Sequence, residues 1–356
     1  MVSKLPMLDA FAGIGGFSLA LKSAFRTVIY CEIDPACQCV LKSLMTKRLL
    51  RKAPLHADVR DLVLTAYDLS SSPVILTAGS PCVDLSSLQR NAQGIHGSRS
   101  SLIFEVFSLL DSNPTLQAVF LENSPMMLSR GLTAIVSEFM RRGFKVAWGI
   151  FSARDVGAPH LRRRWYCLAT RKIVLPMLSP PAHDWVIEGA PRVIPKTARS
   201  LQDLLRRAAM LGNSVVPSCA SHAYNVLNLA ILNLLEPEHF TRASITVFED
   251  ASVIYMRRPQ ATITRAEVDL MLQYRDVSHA RRAWATPVTN IYPSVVETYR
   301  AANMLDTQIL HDKSTLQYIR DVTGRSINVH SVNSYWVVNP AFLEWLMGYP
   351  AEWTAC

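Results

Sequence analysis

The chain has 356 residues, of which 49% are hydrophobic and 18% charged, a composition that excludes an intrinsically disordered protein and provides for one large domain or two ordinary ones. No apolar run reaches the roughly 18 residues of a membrane span, and the first residues lack a signal-peptide stretch. We therefore expect a soluble, intracellular protein without a membrane partner. Seven cysteines without disulfide or metal-ligand spacing fit a reducing compartment and predict no metal site.

The net charge of +9 is concentrated in one block. Residues 141–207 carry 14 Lys and Arg against 4 Asp and Glu, whereas residues 208–356 carry 11 against 13. Such a block is either a solvated surface or a contact region for a polyanion, and the charge count alone leaves both interpretations open.

Short apolar runs alternate with helical stretches over the first 170 residues. Strands are predicted at Leu5–Asp9, Thr27–Cys31, Val74–Ala78, Ala118–Leu121, Lys145–Phe151 and Trp165–Ala169. Helices are predicted at Phe17–Phe25, Cys37–Leu50, Leu102–Leu110 and Leu132–Arg142. The alternation predicts an α/β fold with a doubly wound, mostly parallel, Rossmann-like sheet, whose ligands bind at the carboxyl ends of the strands.

The rest of the chain divides into three parts. Residues 171–205 are rich in proline and read as a short variable insert. Residues 206–235 are helical at both ends and interrupted at Leu211–Pro217. Residues 236–356 form a mixed tail without a repeat. We therefore expect a catalytic domain over 1–170, the insert, a return to that domain, and a C-terminal accessory region.

A glycine-rich turn directly follows the first predicted strand. In Asp9–Phe17 (DAFAGIGGF), Gly13, Gly15 and Gly16 permit a tight turn and close approach of a ligand. Glu32 ends the next strand, where a carboxylate would accept hydrogen bonds from ribose hydroxyls, and Asp58 follows a third strand region. A glycine turn alone is often only a helix start, but with two strand-end carboxylates it favours a nucleoside-containing cofactor.

Reactive groups follow other strands at the same predicted edge. Cys82 comes just after Val74–Ala78 and is either a nucleophile or a buried structural thiol. Glu122 and Asn123 end another strand, where an acid can also be only a cap. Arg162 and Arg164 would share one face of a strand, which suits an anion, a thiolate or a base carbonyl, or a solvated basic strand.

These sites, in this order, resemble the cytosine-C5 DNA methyltransferase family, with phage and bacterial members especially similar. Asp9–Phe17 resembles the cofactor loop, Pro81 and Cys82 the nucleophile dipeptide, and Glu122 and Asn123 the acid motif. Residues 157–164 (GAPHLRRR) resemble the paired-arginine motif and Leu211–Pro217 (LGNSVVP) the closing motif. The resemblance covers about half of the chain.

The resemblance implies transfer of a methyl group from S-adenosylmethionine to C5 of a cytosine flipped out of duplex DNA. Implied catalytic residues are Cys82, Glu122, Arg162 and Arg164, and implied substrate contacts are Ser86, Arg99 and Asn123. Implied cofactor contacts are Phe11, Ala12, Gly13, Gly15, Gly16, Glu32, Ile33, Asp58, Val59, Ser80, Pro81, Asn213 and Ser214. In this scheme Phe11 stacks near the adenine, Glu32 holds the ribose and Asp58 meets the adenine amino group. A monomer is favoured.

The sequence departs from the family pattern in several places. His160 stands where many members have glutamine, and Ser80 where many have phenylalanine; both are interpreted as tolerated variants. The insert 171–205 is short for reading base edges. Trp284–Pro287 and Asn339–Pro350 resemble segments that phage-type members carry ahead of the closing motif, yet here they follow it. The tail either supplies part of the recognition surface or only packs on the sheet.

Three other functions remain open at this point. A tRNA cytosine methyltransferase would use the same residues, although the phage-like motifs favour DNA. A catalytically inactive relative would be expected to lack Cys82 or Glu122, and both are present. A nicotinamide-dependent enzyme accounts for the glycine turn but not for the cysteine and glutamate motifs.

Overall fold

The computed structural model defines most of the first two thirds of the chain and several segments beyond it. The described residues are 3–67, 73–80, 100–187, 190–195, 201–235, 245–247, 253–256, 313–323 and 336–356.

A nine-stranded mixed sheet forms the centre of the molecule. In sheet order its first seven strands are β3 (Leu55–His56), β2 (Phe25–Cys31), β1 (Leu5–Ala10), β4 (Ile75–Ala78), β5 (Ala118–Asn123), β7 (Arg163–Thr170) and β6 (Lys145–Ser152), followed by β10 (Val253–Met256) and β9 (Ile245–Val247). The first five strands run parallel, and β7 is antiparallel to both β5 and β6. The prediction of a mostly parallel α/β sheet is confirmed.

Helices pack on both faces of this sheet, as a doubly wound fold requires. The described helices are α1 (Gly16–Ala20), α2 (Pro35–Thr46), α3 (Phe104–Ser112), α4 (Met127–Arg130), α5 (Leu132–Arg141), α6 (Leu201–Asn213), α7 (Pro217–Leu235), α8 (Lys313–Thr323) and α9 (Pro340–Leu346). Two buried apolar clusters result. One contains residues of α1, α2, α7 and α9, and the other contains residues of α3 and α5.

Local sequence signals explain where two of the helices begin. The Asp34 carboxylate accepts a hydrogen bond from Ala36 N, and Pro35 occupies the first helical position of α2. The same arrangement recurs at α9, where the Asn339 side chain accepts from Ala341 N and is followed by Pro340. Both are standard N-terminal helix signals.

Two predicted features differ from the structure. The helix expected over Phe17–Phe25 ends at Ala20, because Phe25 already begins the buried strand β2. The insert 171–205 contains the short strand β8 (Val193–Pro195), which pairs antiparallel with β11 (Trp336–Val338) from the tail. The tail is therefore joined to the insert by a second, two-stranded sheet.

One stretch of the described chain is long and apolar enough to meet a membrane-span criterion. It is Asp203–Leu232, which combines most of α6 and α7, and 89% of its most apolar window is buried inside the protein. Such burial is what the core helices of a folded domain show.

Candidate active site

The glycine-rich turn lies at the carboxyl edge of the parallel strands. Phe11, Gly13 and Gly15 all have positive φ angles, of 56°, 54° and 80°, and Gly15 caps α1. The Ala12 amide donates to the Cys31 carbonyl oxygen over 2.9 Å, and the Gly13 amide donates to Glu32 Oε2 over 2.6 Å. The turn after β1 is thus fastened to the end of β2.

Glu32 directly follows β2 and contacts the glycine-rich turn. Its Oε1 accepts a hydrogen bond from the Asp34 amide over 2.8 Å, so each carboxylate oxygen receives one backbone N–H and retains acceptor capacity. Burial raises the pKa of Glu32, and these backbone donors oppose the shift. The next residue, Ile33, exposes 62% of its surface, and a Cβ added at Gly13 would meet nothing within 4 Å. An apolar surface and open space beside a carboxylate fit a ribose carrying a base.

Asp58 is held by a neighbouring arginine. Its Oδ1 accepts from the Arg60 amide over 3.0 Å and from Arg60 Nε over 2.9 Å. These bonds lower the pKa of Asp58 to about 2, so the carboxylate is ionised at neutral pH. Val59 is buried beneath it. The family resemblance implies contact of Asp58 with the adenine amino group, and in the structure its carboxylate lies at this edge bonded to Arg60.

Asn123 fixes the loop that leads towards Cys82. Its Nδ2 donates to the Ser80 carbonyl oxygen over 3.3 Å and contacts Ser80 Oγ at 3.2 Å, and both residues are buried. Asn123 Oδ1 accepts a hydrogen bond from the Ser124 amide over 2.8 Å. The side chain that the sequence assigns to the substrate is thus used to join the ends of β4 and β5.

Glu122 and Arg164 form an ion pair at the end of β5. Arg164 Nε lies 3.0 Å from Glu122 Oε1, and the glutamate is 7% exposed. Burial raises the pKa of Glu122, whereas the charges of Arg164 and Arg162 lower it. A Cβ added at Gly79 would lie 3.5 Å from Glu122 Oε2, so the carboxylate borders the segment that precedes Cys82.

The antiparallel direction of β7 brings the arginines to this edge. β7 starts at Arg163, where the parallel strands end, and Asn123 lies opposite Trp165 in the register. Arg162 turns towards the closing motif, where Nη1 donates to Gly212 O over 3.0 Å and Nη2 to Ser214 O over 2.6 Å. Burial, with repulsion from Arg164, lowers the pKa of Arg162 to about 10.

The closing motif forms the link between α6 and α7. Ser214 is partly buried and its hydroxyl donates to the Leu211 carbonyl oxygen over 2.8 Å, while Asn213 is exposed at the end of α6. Arg162 therefore joins the paired-arginine segment to the closing motif, because its side chain donates to two main-chain carbonyl oxygens of that motif.

The tail contributes groups that the sequence reasoning did not place at the site. Trp353 Nε1 donates to the Ile14 carbonyl oxygen over 2.7 Å, and the Tyr349 hydroxyl donates to Val215 O over 2.9 Å. A Cβ added at Gly16 would lie 2.5 Å from the Tyr349 hydroxyl oxygen, so the glycine permits this contact. The sequence feature that could have indicated these contacts is the aromatic segment Asn339–Pro350, which begins with a helix cap at Asn339.

His160 belongs to the same connection. It is fully buried, and Nε2 donates to the Leu346 carbonyl oxygen over 3.0 Å. Burial lowers its pKa to about 3, so the imidazole is neutral. The residue that replaces the family's usual glutamine therefore binds the tail to the paired-arginine segment.

Four residues of the predicted site lie outside the described residues: Pro81, Cys82, Ser86 and Arg99. The tail motif Trp284–Pro287 lies outside them as well. Ser80, the residue before Pro81, is placed at the carboxyl edge. Over the described part of the chain, no cluster of three or more His, Cys, Asp or Glu side chains is placed to hold a metal ion.

Comparison with known proteins identifies the family of this fold. Residues 5–206, more than half of the chain, match the family described as C-5 cytosine-specific DNA methylase. The type II methyltransferase M.CviJI of Paramecium bursaria Chlorella virus IL3A is 25% identical over 97% of this chain and 96% of its own length. The type II methyltransferase M2.BsuMI of Bacillus subtilis is 32% identical, over 47% of this chain and 42% of its own.

A solved structure shows partial overlap. A putative DNA modification methyltransferase encoded within an Escherichia coli prophage aligns with a TM-score of 0.40 and 21% identity, covering 50% of this chain and 52% of that one. The family assignment rests on the sequence match and on the order of motifs along the sheet edge. The chain belongs to the C-5 cytosine-specific DNA methylase family.

Proposed function

We propose that this protein transfers a methyl group from S-adenosylmethionine to C5 of cytosine in duplex DNA, by way of a covalent bond from Cys82. The observation that carries the proposal is the ion pair of the buried Glu122 with Arg164, which borders Gly79 at the same sheet edge as the Gly13–Glu32 contact. An acid and a nucleoside site on one edge are what this transfer requires. The DNA methylase match and the type II relatives favour DNA over tRNA.

The residues around the glycine turn would hold the cofactor. Glu32 has acceptor capacity left for the ribose hydroxyls, and the exposed Ile33 and half-buried Phe11 offer apolar surface to the adenine. Asp58, ionised and at the neighbouring strand end, would accept from the adenine amino group. Once bound, S-adenosylmethionine supplies an electrophilic methyl carbon attached to a sulfonium.

Cys82 and Glu122 would act on the two sides of the pyrimidine. The Cys82 thiolate adds to C6 of the cytosine, and Glu122, in its protonated form, donates its proton to N3. The π electrons of the C5–C6 double bond are then available at C5, which becomes nucleophilic. After C5 has accepted the methyl group, a water molecule acting as base takes the C5 proton, the Cys82 thiolate leaves C6 as the C5–C6 double bond re-forms, and N3 returns its proton to Glu122. A raised pKa of Glu122 favours the protonated acid that this step uses.

The two arginines would divide their roles. Arg164, paired with Glu122, would set the direction of the acid and face the base. Arg162 would act on the same site partly through the closing motif, because both of its terminal nitrogens donate to carbonyl oxygens there. The positive charge of both would favour the thiolate form of Cys82.

Target recognition would come from two parts of the chain. β8 of the short insert pairs with β11 of the tail, and Arg192 Nη1 donates to Ser314 Oγ at the start of α8 over 2.6 Å. The insert thus contacts both α8 and β11, and these contacts would compensate for its small size. Replacing the exposed Arg320 and Asp321 of α8 by alanine should change the methylated sequence, as read by bisulfite sequencing. An unchanged sequence preference and turnover would exclude α8 from recognition.

The direct test is methyl transfer from labelled S-adenosylmethionine to duplex DNA and to tRNA. We expect label in DNA, at cytosine C5, and none with the Cys82→Ala variant. Duplexes carrying 5-fluorocytosine at the preferred site should become covalently trapped on the protein when the methyl donor is present. Label in tRNA alone would select the RNA function, and cofactor binding without transfer to either would select an inactive relative.

A further inference from the structure

A groove of about 990 Å³ lies at the sheet edge opposite the cofactor turn. Its walls are the starts of β1 and β2, the end of α1, the last turns of α2 and the loop of residues 48–53. Because β1 and β2 run in parallel, their starts and their carboxyl ends are at opposite edges of the sheet. The cationic residues of the groove therefore lie at the edge opposite to the proposed active site, whereas Ser18 of α1 and Tyr30, near the end of β2, extend the lining towards the turn.

Cationic side chains line this groove. Lys4, Lys22 and Arg26 come from one side, and Lys42, Arg48, Arg51 and Lys52 come from the other. These are seven of its sixteen lining residues, and none of the sixteen is Asp or Glu. The groove is therefore strongly electropositive, although it lies outside the basic block at 141–207.

Most of these charges are not neutralised by neighbours. Within the described residues, Lys22, Lys42, Arg48 and Lys52 form no salt bridge, and all four are exposed. Some exposed arginines elsewhere do form such pairs, as Arg60 does with Asp58 and Arg141 does with Glu138. Clustered like charges repel one another, so an arrangement of this kind is stabilised by a bound anion.

The groove is held open by contacts across its floor. Arg51 Nη1 donates to the Thr27 carbonyl oxygen over 3.0 Å, and the Tyr30 hydroxyl donates to the Arg51 carbonyl oxygen over 3.1 Å. These bonds fix the 48–53 loop against β2. A ligand would therefore enter a prearranged site, which reduces the ordering entropy lost on binding.

The floor itself is polar but carries little negative charge. Ser18 and Thr27 place their hydroxyl oxygens 2.7 Å apart, and Ser18 Oγ donates to Asp9 Oδ2 over 2.5 Å. Asp9 is fully buried behind them, and burial raises its pKa to about 7, so its charge is partial at neutral pH. The floor therefore does not repel an anion strongly.

We propose that this groove binds a phosphate-bearing polyanion, independently of the target cytosine. β1 spans six residues, a length of about 20 Å, which is about two screening lengths at physiological salt. One phosphate cannot serve both edges of the sheet. The ligand is either a nucleic-acid strand lying away from the methylation site or a free polyphosphate, since both present several closely spaced anionic oxygens.

The test measures binding of two probes to the full chain at low salt. Inorganic tripolyphosphate, followed by calorimetry, lacks any base that could enter the cofactor site. A labelled oligothymidylate, followed by fluorescence anisotropy, offers phosphates without a target cytosine. The variant K22Q/R48Q/K52Q removes three exposed groove charges. The control K22R/R48K/K52R keeps a positive charge at each of these positions, and thermal unfolding verifies that both variants fold.

We expect the groove variant to bind at least one probe with about tenfold lower affinity than the unmodified protein, and the control to bind that probe with an affinity reduced by less than about threefold. The probe that binds more tightly identifies free polyphosphate or nucleic acid as the source. If neither probe binds the unmodified protein, or if both variants weaken binding equally, the groove is not a site. Neither measurement requires methyl transfer, so the groove is tested independently of the proposed function.

Discussion

Glu344 and Arg207 form a buried ion pair that connects the tail to the catalytic domain. Arg207 Nη2 lies 3.0 Å from Glu344 Oε1, which also accepts from the Thr354 amide over 2.8 Å and from the Thr354 hydroxyl over 2.5 Å. Arg207 Nε donates to the same hydroxyl over 2.8 Å. Glu344 is 0% exposed and Arg207 is 5% exposed. Arg207 lies on α6, which leads directly into the closing motif, and Glu344 lies on α9.

Replacing Glu344 by glutamine should destabilise the protein markedly. The side-chain oxygen can still accept from Thr354, but the charge opposite Arg207 is lost. An uncompensated buried charge costs about 3–5 kcal/mol, and we expect a value near 3, because Glu344 Oε2 has no hydrogen-bond partner within the described residues to lose. At roughly 2 °C per kcal/mol for a chain of this size, the melting temperature should fall by about 6 °C.

Thermal and urea unfolding measure this change, with E352Q as the matched control because Glu352 is exposed and forms no salt bridge within the described residues. The double variant E344Q/R207Q, which removes both charges, should be more stable than the sum of the two single losses predicts. A loss below about 1 kcal/mol in E344Q, or equal losses in E344Q and E352Q, would refute the inference that the pair holds the tail in place.

Four further predictions concern the active site, the core and the basic block. Cys82→Ala should abolish methyl transfer while isothermal titration still detects binding of S-adenosylhomocysteine; retained transfer would exclude the covalent route. Glu122→Gln should lower kcat by about 10²–10⁴-fold, as loss of a general acid does, and an unchanged kcat would remove Glu122 from the N3 role. In the folded protein Asp9 keeps its proton up to about pH 7, whereas in the unfolded chain an aspartate loses its proton near pH 3.8. Raising the pH across this window should therefore destabilise the wild type by up to about 4 kcal/mol relative to the Asp9→Asn variant, as measured by urea unfolding. Parallel pH profiles of the two proteins would contradict this. DNA affinity, measured by anisotropy, should fall at least about tenfold between about 50 and about 200 mM salt if the block at 141–207 contacts phosphates, and salt-insensitive binding would exclude that contact.

The sequence was sufficient to predict six strands of the nine-stranded sheet, because these strands are short apolar runs that end in turns. All six predicted strands are present, and the edge that carries Gly13, Glu32 and Glu122 is the predicted one. The direction of each strand was harder to predict from the sequence. The antiparallel course of β7 depends on pairing with β5 and β6, which no local pattern encodes.

The partners of individual side chains could not be predicted either. Arg162 and Arg164 were grouped because they alternate along one strand, yet one meets the closing motif and the other meets Glu122. The role of His160 depends on Leu346, which is 186 positions away in the chain. Contacts over such separations follow from tertiary packing and leave no periodic signal in the sequence.

The hydrogen bond from Trp353 to Ile14 joins residues 339 positions apart. During synthesis the glycine-rich turn is made early, whereas Trp353, which supports it, is added 339 residues after Ile14. Closing a loop of that length is entropically unfavourable until the intervening strands have assembled. Maturation of catalytic competence should therefore be a late folding event, and limited proteolysis near the carboxyl-terminal tryptophan should inactivate an otherwise folded enzyme.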